Sequence, residues 1–387
     1  MHDRSSKTLR LSILALASLS VALLGTRCPG LNFQARQELR AAGVDKYLGQ
    51  FTPSSSTDVG DGWVRHDFDS DGGEGPICID GSDYSVFSLA RNPHKLLILE
   101  QGGGACWTGV PFCIRNVAQN PVTPPIPAGL EQGLWDSNDP QNPFADHSIV
   151  YMPYCDGSVW SGDNDVPDAF FPDGIRRHRG LRNQSAGLDV AHELFPDAVK
   201  ITGAGSSAGG TGIARFTPFL IRFLWGNGID LTILNDSGPV TANLDDIDGI
   251  LLRANEWQVG QFYPASCTAC NDMGQPTAVI EWRLANDRTI REAFYSTDQD
   301  SVVRPSLGLP VDEFRDLMIA EHGALHDAYP WRYKAFIVSG DASHTAIQKD
   351  LLYTQEANGT PLVSWIRSFV NLPFFWQHIV EDFVPAP

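Results

Sequence analysis

The sequence predicts an α/β fold, a doubly wound and mostly parallel sheet with long loops above the carboxyl ends of its strands. Three observations predict it. Short apolar runs recur along the chain, each closed by a cluster of Gly, Ser, Asp or Asn. Stretches of helical character separate those runs, the alternation that a parallel sheet requires. Glycine and proline are plentiful, 36 and 26 of 387 residues, which calls for many turns and long surface loops.

The runs follow in order. Tyr84 to Leu89 reads as a strand. Lys95 to Leu99 (Lys-Leu-Leu-Ile-Leu) leads into Glu100-Gln-Gly-Gly-Gly104. Ser148 to Tyr154 is a third run, and Val199 to Thr202 enters a glycine-rich turn. Leu231 to Leu234 closes on Asn235-Asp-Ser-Gly238, and Ala335 to Val338 on Ser339-Gly-Asp-Ala-Ser-His344. Short runs that are apolar throughout fit strands buried on both faces. Ser185 to Leu194 and Thr211 to Trp225 read as helices. In open sheets of this kind functional residues gather on the loops that follow the strands, so the candidates are the residues just after each run.

The N-terminus reads as an export leader. Arg4, Lys7 and Arg10 precede an apolar stretch from Leu11 to Leu24, shorter than the ~20 residues a membrane-spanning helix needs. Residues 1–30 are thus expected to be a signal peptide or an N-terminal anchor. Residues 31–60 are expected to be an irregular, polar segment, and residues 61–387 one α/β domain. Acidic residues outnumber basic ones 46 to 28, a formal net charge of −18. That surface disfavours nucleic acid and anionic membranes as partners, keeps an exported protein soluble, and argues against a strongly polyanionic substrate. Leaving Cys28 with the leader, the cysteines are Cys78, Cys106, Cys113, Cys155, Cys267 and Cys270. An even count in an exported chain suggests disulfides. Cys267-Thr-Ala-Cys270 has the spacing of half a metal site, but no second pair or histidine cluster accompanies it, so no metal is expected.

The strongest local signal is Gly205-x-Ser207-x-Gly209, directly after a strand pattern and directly before a helix pattern. That context is the one a nucleophile elbow requires: a tight turn flanked by glycines that holds a serine hydroxyl exposed at the sheet's edge. A phosphate-cradling loop would need Gly-Lys-Ser/Thr, which is absent. A second glycine cluster, Gln101-Gly-Gly-Gly-Ala-Cys-Trp107, follows an earlier strand. Consecutive glycines let backbone N–H groups turn toward a developing oxyanion. Folds that carry the elbow build that hole from such a loop plus the N–H after the serine, here Gly103, Gly104 and Ala208.

Gly102-Gly-Gly-Ala-Cys-Trp107, Tyr154-Cys-Asp-Gly-Ser158 with Ser161-Gly-Asp163, Arg179-Gly180 and Gly205-Ser-Ser-Ala-Gly-Gly210 together resemble the pectin acetylesterase family, which includes Notum-type deacylases. The resemblance runs from about Cys78 to about Trp365. Ser206 stands where the family commonly has cysteine. The resemblance implies an α/β-hydrolase domain, a Ser-Asp-His triad and no metal or other cofactor. It also implies disulfides Cys78–Cys155 and Cys106–Cys113, with Cys267–Cys270 as a local bridge. The implied activity is hydrolysis of acyl esters, acetyl first among them, on a small molecule or a carbohydrate-like scaffold.

The triad order Ser, acid, His places the base after Ser207. His344 sits on the loop after the Ala335 to Val338 strand, within Gly340-Asp-Ala-Ser-His-Thr345, where a general base is wanted. His378 lies in an aromatic stretch, which more often means a packed histidine. For the acid, Asp300 follows Ala293-Phe-Tyr-Ser-Thr297 and resembles the family's Asp-Ser-x-Gln, although Val303 stands where the Gln is expected. Asp341 and Asp236 remain alternatives, Asp341 more naturally as a turn cap. Trp107, Trp135 and Trp160 either shape a substrate platform or pack loops onto the sheet. Asp156 and Asp163 are read as loop ties. Asn183-Gln-Ser185 and Asn358-Gly-Thr360 match glycosylation sequons. Two functions compete with acetyl-ester hydrolysis: a lipase or deacylase of the same fold for longer acyl chains, which pocket depth decides, and a catalytically inactive carbohydrate-binding module, which predicts a missing triad member; Ser207, Asp300 and His344 are all present.

Overall fold

The computed structural model describes residues 30–69, 73–110 and 132–384. The expected leader therefore lies outside the described residues, as does Cys113. The central sheet has ten strands in the order β1-β2-β3-β5-β4-β8-β9-β10-β11-β14. They are β1 (Ser55–Gly60), β2 (Trp63–Phe68), β3 (Tyr84–Leu89), β4 (Asn92–Glu100), β5 (His147–Met152), β8 (Lys200–Ser206), β9 (Asp230–Asp236), β10 (Arg291–Thr297), β11 (Tyr333–Val338) and β14 (Ile379–Val380). Two hairpins stand apart: β6 (Asn164–Pro167) with β7 (Ile175–His178), and β12 (Glu356–Ala357) with β13 (Thr360–Pro361). From β5 to β14 every neighbouring pair is parallel, while β1, β2 and β3 add an antiparallel edge.

The parallel strands are apolar throughout because both of their faces are covered. Successive side chains point to opposite faces, so each run divides between two cores. In β4, Leu96 and Ile98 join one core, and Leu97 and Leu99 the other. Val150 and Met152 of β5 separate from Ile149 and Tyr151 in the same way, and Ala335 and Ile337 of β11 from Phe336 and Val338. The helices on the two faces are α1 (Phe33–Ala41), α2 (Gly180–Leu194), α3 (Ala208–Ile213), α4 (Thr217–Trp225), α5 (Ile247–Trp257), α6 (Ala278–Asn286), α7 (Val303–Ser306), α8 (Val311–Ala328), α9 (Leu351–Thr354) and α10 (Leu362–Asn371). Leu362, Trp365, Ile366 and Phe369 form the buried stripe of α10, at the spacing one helical face requires.

Two expectations are corrected. The segment 31–60 is not irregular: it forms α1 and β1. Asn32 caps α1 by accepting from the Ala35 amide at 2.8 Å, and Ala35 and Leu39, four residues apart, are buried. The stretch Thr211 to Trp225 is not one helix, because α3 ends at Ile213 and α4 begins at Thr217. Pro218 lies in the first turn of α4, where its missing N–H costs nothing, and it could not have continued a helix begun at Ala208. The intervening turn is held by Arg283, fully buried, which donates to the carbonyls of Ala214 and Arg215 at 2.8 Å each and pairs with Glu292 at 2.6 Å.

Cys78 is bonded to Cys155 and Cys267 to Cys270. The first bridge closes a sequence separation of 77 residues and ties the segment before β3 to the loop after β5. Cross-links that close long loops remove the most freedom from the unfolded chain. Asn183 is fully buried in α2 and exchanges hydrogen bonds with the backbone of Ile77, so its sequon is closed in the folded protein; Asn358 is exposed.

Candidate active site

Strand β8 leads into α3 through Ser207, whose φ of 59° and ψ of −121° lie in the left-handed half of backbone space. A non-glycine residue is held there only when its surroundings force it. Here the forcing is close packing of the turn. A side chain on Gly205 would collide with the Gly209 carbonyl, and one on Gly209 with the Glu100 carbonyl at the end of β4. The Ser207 amide donates to the Asp236 carbonyl at 2.7 Å, which fixes the turn against β9.

The glycine loop after β4 lies against this turn. A Cβ on Gly102 would sit 2.5 Å from the Ser206 carbonyl oxygen and 3.1 Å from Ser207 Cβ. The loop is held from several sides. Gln101 N donates to Met152 O at 3.0 Å, Trp160 Nε1 to Gln101 O at 3.0 Å, Cys106 N to Gly157 O at 2.8 Å, and Trp257 Nε1 to Cys106 O at 2.9 Å. Among the described residues the amides of Gly103 and Gly104 have no protein acceptor. Both glycines line one cavity with Ser207 and Ala208. The pairing of Cys106 with Cys113 reaches outside the described residues.

His344 follows β11 on a loop clamped to the end of β9. Thr345 N donates to Ser237 Oγ at 3.2 Å, and the amides of Ala346 and Ile347 reach the Asp236 carboxylate at 3.0 and 3.2 Å. Ser206 Oγ donates to the same carboxylate at 2.6 Å, so the residue that stands for the family cysteine ties the elbow to the histidine loop. Burial pushes the Asp236 carboxyl above its ordinary value, against those hydrogen bonds. His344 Nδ1 lies 2.7 Å from Asp300 Oδ2. Asp300 is fully buried, and its other oxygen accepts from the amides of Val302 and Val303 at 2.8 and 2.9 Å. A carboxylate that accepts two amides and faces the imidazole assigns the proton of that contact to Nδ1, which leaves Nε2 as the basic nitrogen.

The other candidates are placed elsewhere. Asp341 accepts from Ser343 N at 2.7 Å and from Gln355 Nε2 at 3.1 Å, capping the turn. His378 accepts from Ala335 N at 3.0 Å and stacks on His326, and burial pushes its pKa down to about 4. Trp160 and Trp135 are buried packing residues, whereas Trp107 lines the cavity and meets the edge of Trp257 at 6.0 Å. Asp163 ties Lys46, Tyr47 and Arg182 together, and Asp156 holds Ser158. The cavity measures about 510 Å³, with Trp107, Val159, Val240, Ile250 and Trp257 among its apolar walls. Two arginines that sequence reading did not single out, Arg215 and Arg253, also line it. No motif marks them; only the fold brings the turn between α3 and α4, which carries Arg215, and helix α5, which carries Arg253, to one wall.

A serine elbow in this conformation, on a largely parallel sheet between two helical layers, defines the fold as that of the α/β-hydrolases. Comparison with known proteins gives the relatives. A solved structure of the Wnt deacylase Notum from Drosophila superimposes with a TM-score of 0.60 and 19% identity, over 80% of this chain and 94% of that one. By sequence the chain is 28% identical over 175 residues to palmitoleoyl-protein carboxylesterase notum1′ of Xenopus laevis, and 27% identical to its notum1 counterpart. Each match covers 42% of this chain and 34% of the relative, so the chain spans about a third of the length of these proteins. No family model matches. The relatives thus come from the same Notum-like group that the motifs resemble.

Proposed function

We propose that the chain is a serine carboxylesterase. The observation that carries this reading is the Ser207 elbow beside a histidine loop whose His344 is hydrogen-bonded to buried Asp300. In the proposed reaction His344 Nε2 takes the Ser207 proton as Oγ attacks the ester carbonyl. Asp300 holds the imidazole and stabilises its cation. The amides of Gly103, Gly104 and Ala208 hold the oxyanion, the alcohol leaves with the proton from His344, and water activated by His344 then releases the acid from Ser207. No step calls on a metal or cofactor. The bonded cysteine pairs fit an oxidising compartment and support export.

The acyl group follows from the cavity. The motifs lead first to acetyl on a carbohydrate-like scaffold. A largely apolar cavity of about 510 Å³ has many times the volume of an acetyl group and favours a longer acyl chain, and the likeness to palmitoleoyl-protein carboxylesterases supports the same reading. Hydrolysis of p-nitrophenyl acetate, butyrate, octanoate and palmitate tests it. Each methylene that enters an apolar wall adds about 0.8 kcal/mol, roughly fourfold in kcat/KM. We expect kcat/KM to climb from acetate through butyrate until the cavity is full. A profile that falls from acetate onward selects the acetyl reading instead.

A further inference from the structure

Arg215 is buried, 8% exposed as a residue, and its side chain forms no hydrogen bond or ion pair among the described residues. Its Nε is fully buried and unpartnered. Buried arginines elsewhere in this chain are paired: Arg222 with Asp287, Arg283 with Glu292 and Arg176 with Asp168 and Glu256. A buried donor left without a partner is costly, and structures keep one where water, an ion or a ligand supplies it. Arg215 lines the cavity that Ser207 opens into, so a ligand in that cavity is within its reach.

Arg253, half-buried on α5, lines the same cavity. Its guanidinium lies over the Trp107 ring at 5.1 Å and is 3.6 Å from the exposed Asp246 carboxylate. Burial, and more weakly the nearby charge of Arg215, lower its pKa, with Asp246 opposing. Among the described residues the one acid that lines the cavity with them is Asp272, which is exposed and makes no ion pair with either arginine. Two cations thus line one wall of the cavity in a protein whose formal net charge is −18. The overall charge repels a polyanion, while the local pair suits a single negative group.

We propose that Arg215 and Arg253 form a subsite for one anionic group, a carboxylate, sulfate or phosphate, carried by the ester substrate close to its scissile bond. The proposal rests on the esterase reading for the identity of the ligand as substrate, though not for the existence of the subsite. The anion sits on either the acid or the alcohol side of the ester, and the test separates the two. The acid-side pair is mono-p-nitrophenyl glutarate against p-nitrophenyl valerate. The alcohol-side pair is 4-acetoxybenzoate against 4-methylphenyl acetate. Each is assayed with the full chain and with Arg215→Met and Arg253→Met at fixed ionic strength. Comparing the anionic-to-neutral ratio of kcat/KM between wild type and variant cancels the intrinsic reactivity of the esters. A charge-assisted contact of this kind is worth about tenfold or more. We expect that ratio to fall about tenfold in Arg215→Met for one of the two pairs, with neutral esters hydrolysed within about twofold of wild type. An unchanged ratio in both variants for both pairs overturns the subsite. If no ester is hydrolysed, the esterase reading fails and the subsite is judged by binding. Glutarate or benzenesulfonate should then raise the unfolding temperature of the wild type and leave that of Arg215→Met unmoved; no rise in either overturns the proposal.

Discussion

Ser207→Ala should lower kcat for p-nitrophenyl butyrate by a factor on the order of 10⁶, to the background that the remaining groups supply. The size follows from the role. Without Oγ there is no covalent intermediate, and the histidine pair and oxyanion amides are left with water as the only nucleophile. Alanine keeps the Cβ that already occupies φ 59°, so the turn gains no new backbone strain and the unfolding temperature should stay near that of wild type. A variant that folds normally and keeps more than about a tenth of the activity would show that hydrolysis proceeds elsewhere.

Asp300→Asn should lower kcat by about 10⁴. The geometry explains why so small a change acts so strongly. The amides of Val302 and Val303 donate to Oδ1, and an asparagine satisfies them only with its oxygen in that place. Its NH₂ then replaces Oδ2 against His344 Nδ1 and donates to it. The imidazole must put its own proton on Nε2 and can no longer accept one from Ser207. Asp341→Asn is the control, because Asp341 meets Ser343 and Gln355 and not the imidazole; it should keep kcat within about threefold. Full activity in Asp300→Asn together with its loss in Asp341→Asn would reassign the acid.

The layer order and much of the candidate site were legible in the sequence because their signals are local. A run such as Leu96 to Leu99 must be buried on both faces wherever it lies, and Gly205-x-Ser207-x-Gly209 encodes a turn that closes within a few residues. The loops carrying Gly103 and His344 were readable for the same reason, since each follows directly on a strand. Helix α1 escaped because its apolar face is only Ala35 and Leu39, and its packing against the body is not a property of the segment itself. The packing roles of Trp135 and Trp160 depend on which loop covers them. The clamp of Asp236 on the amides of Ala346 and Ile347 spans more than a hundred residues. The convergence of Arg215 and Arg253 likewise joins the turn between α3 and α4 to helix α5 on one cavity wall, and no spacing rule within either segment announces it.

The most direct test of the central claim is covalent. An alkyl fluorophosphonate traps an activated serine: Oγ bonds to phosphorus, fluoride leaves and the serine proton is lost. Incubation of the folded chain with such a probe, followed by digestion and mass spectrometry, should place a single adduct on the peptide that contains Ser207. Labelling should be strongly slowed in Asp300→Asn. An unmodified chain, or an adduct on any other residue, would contradict the account.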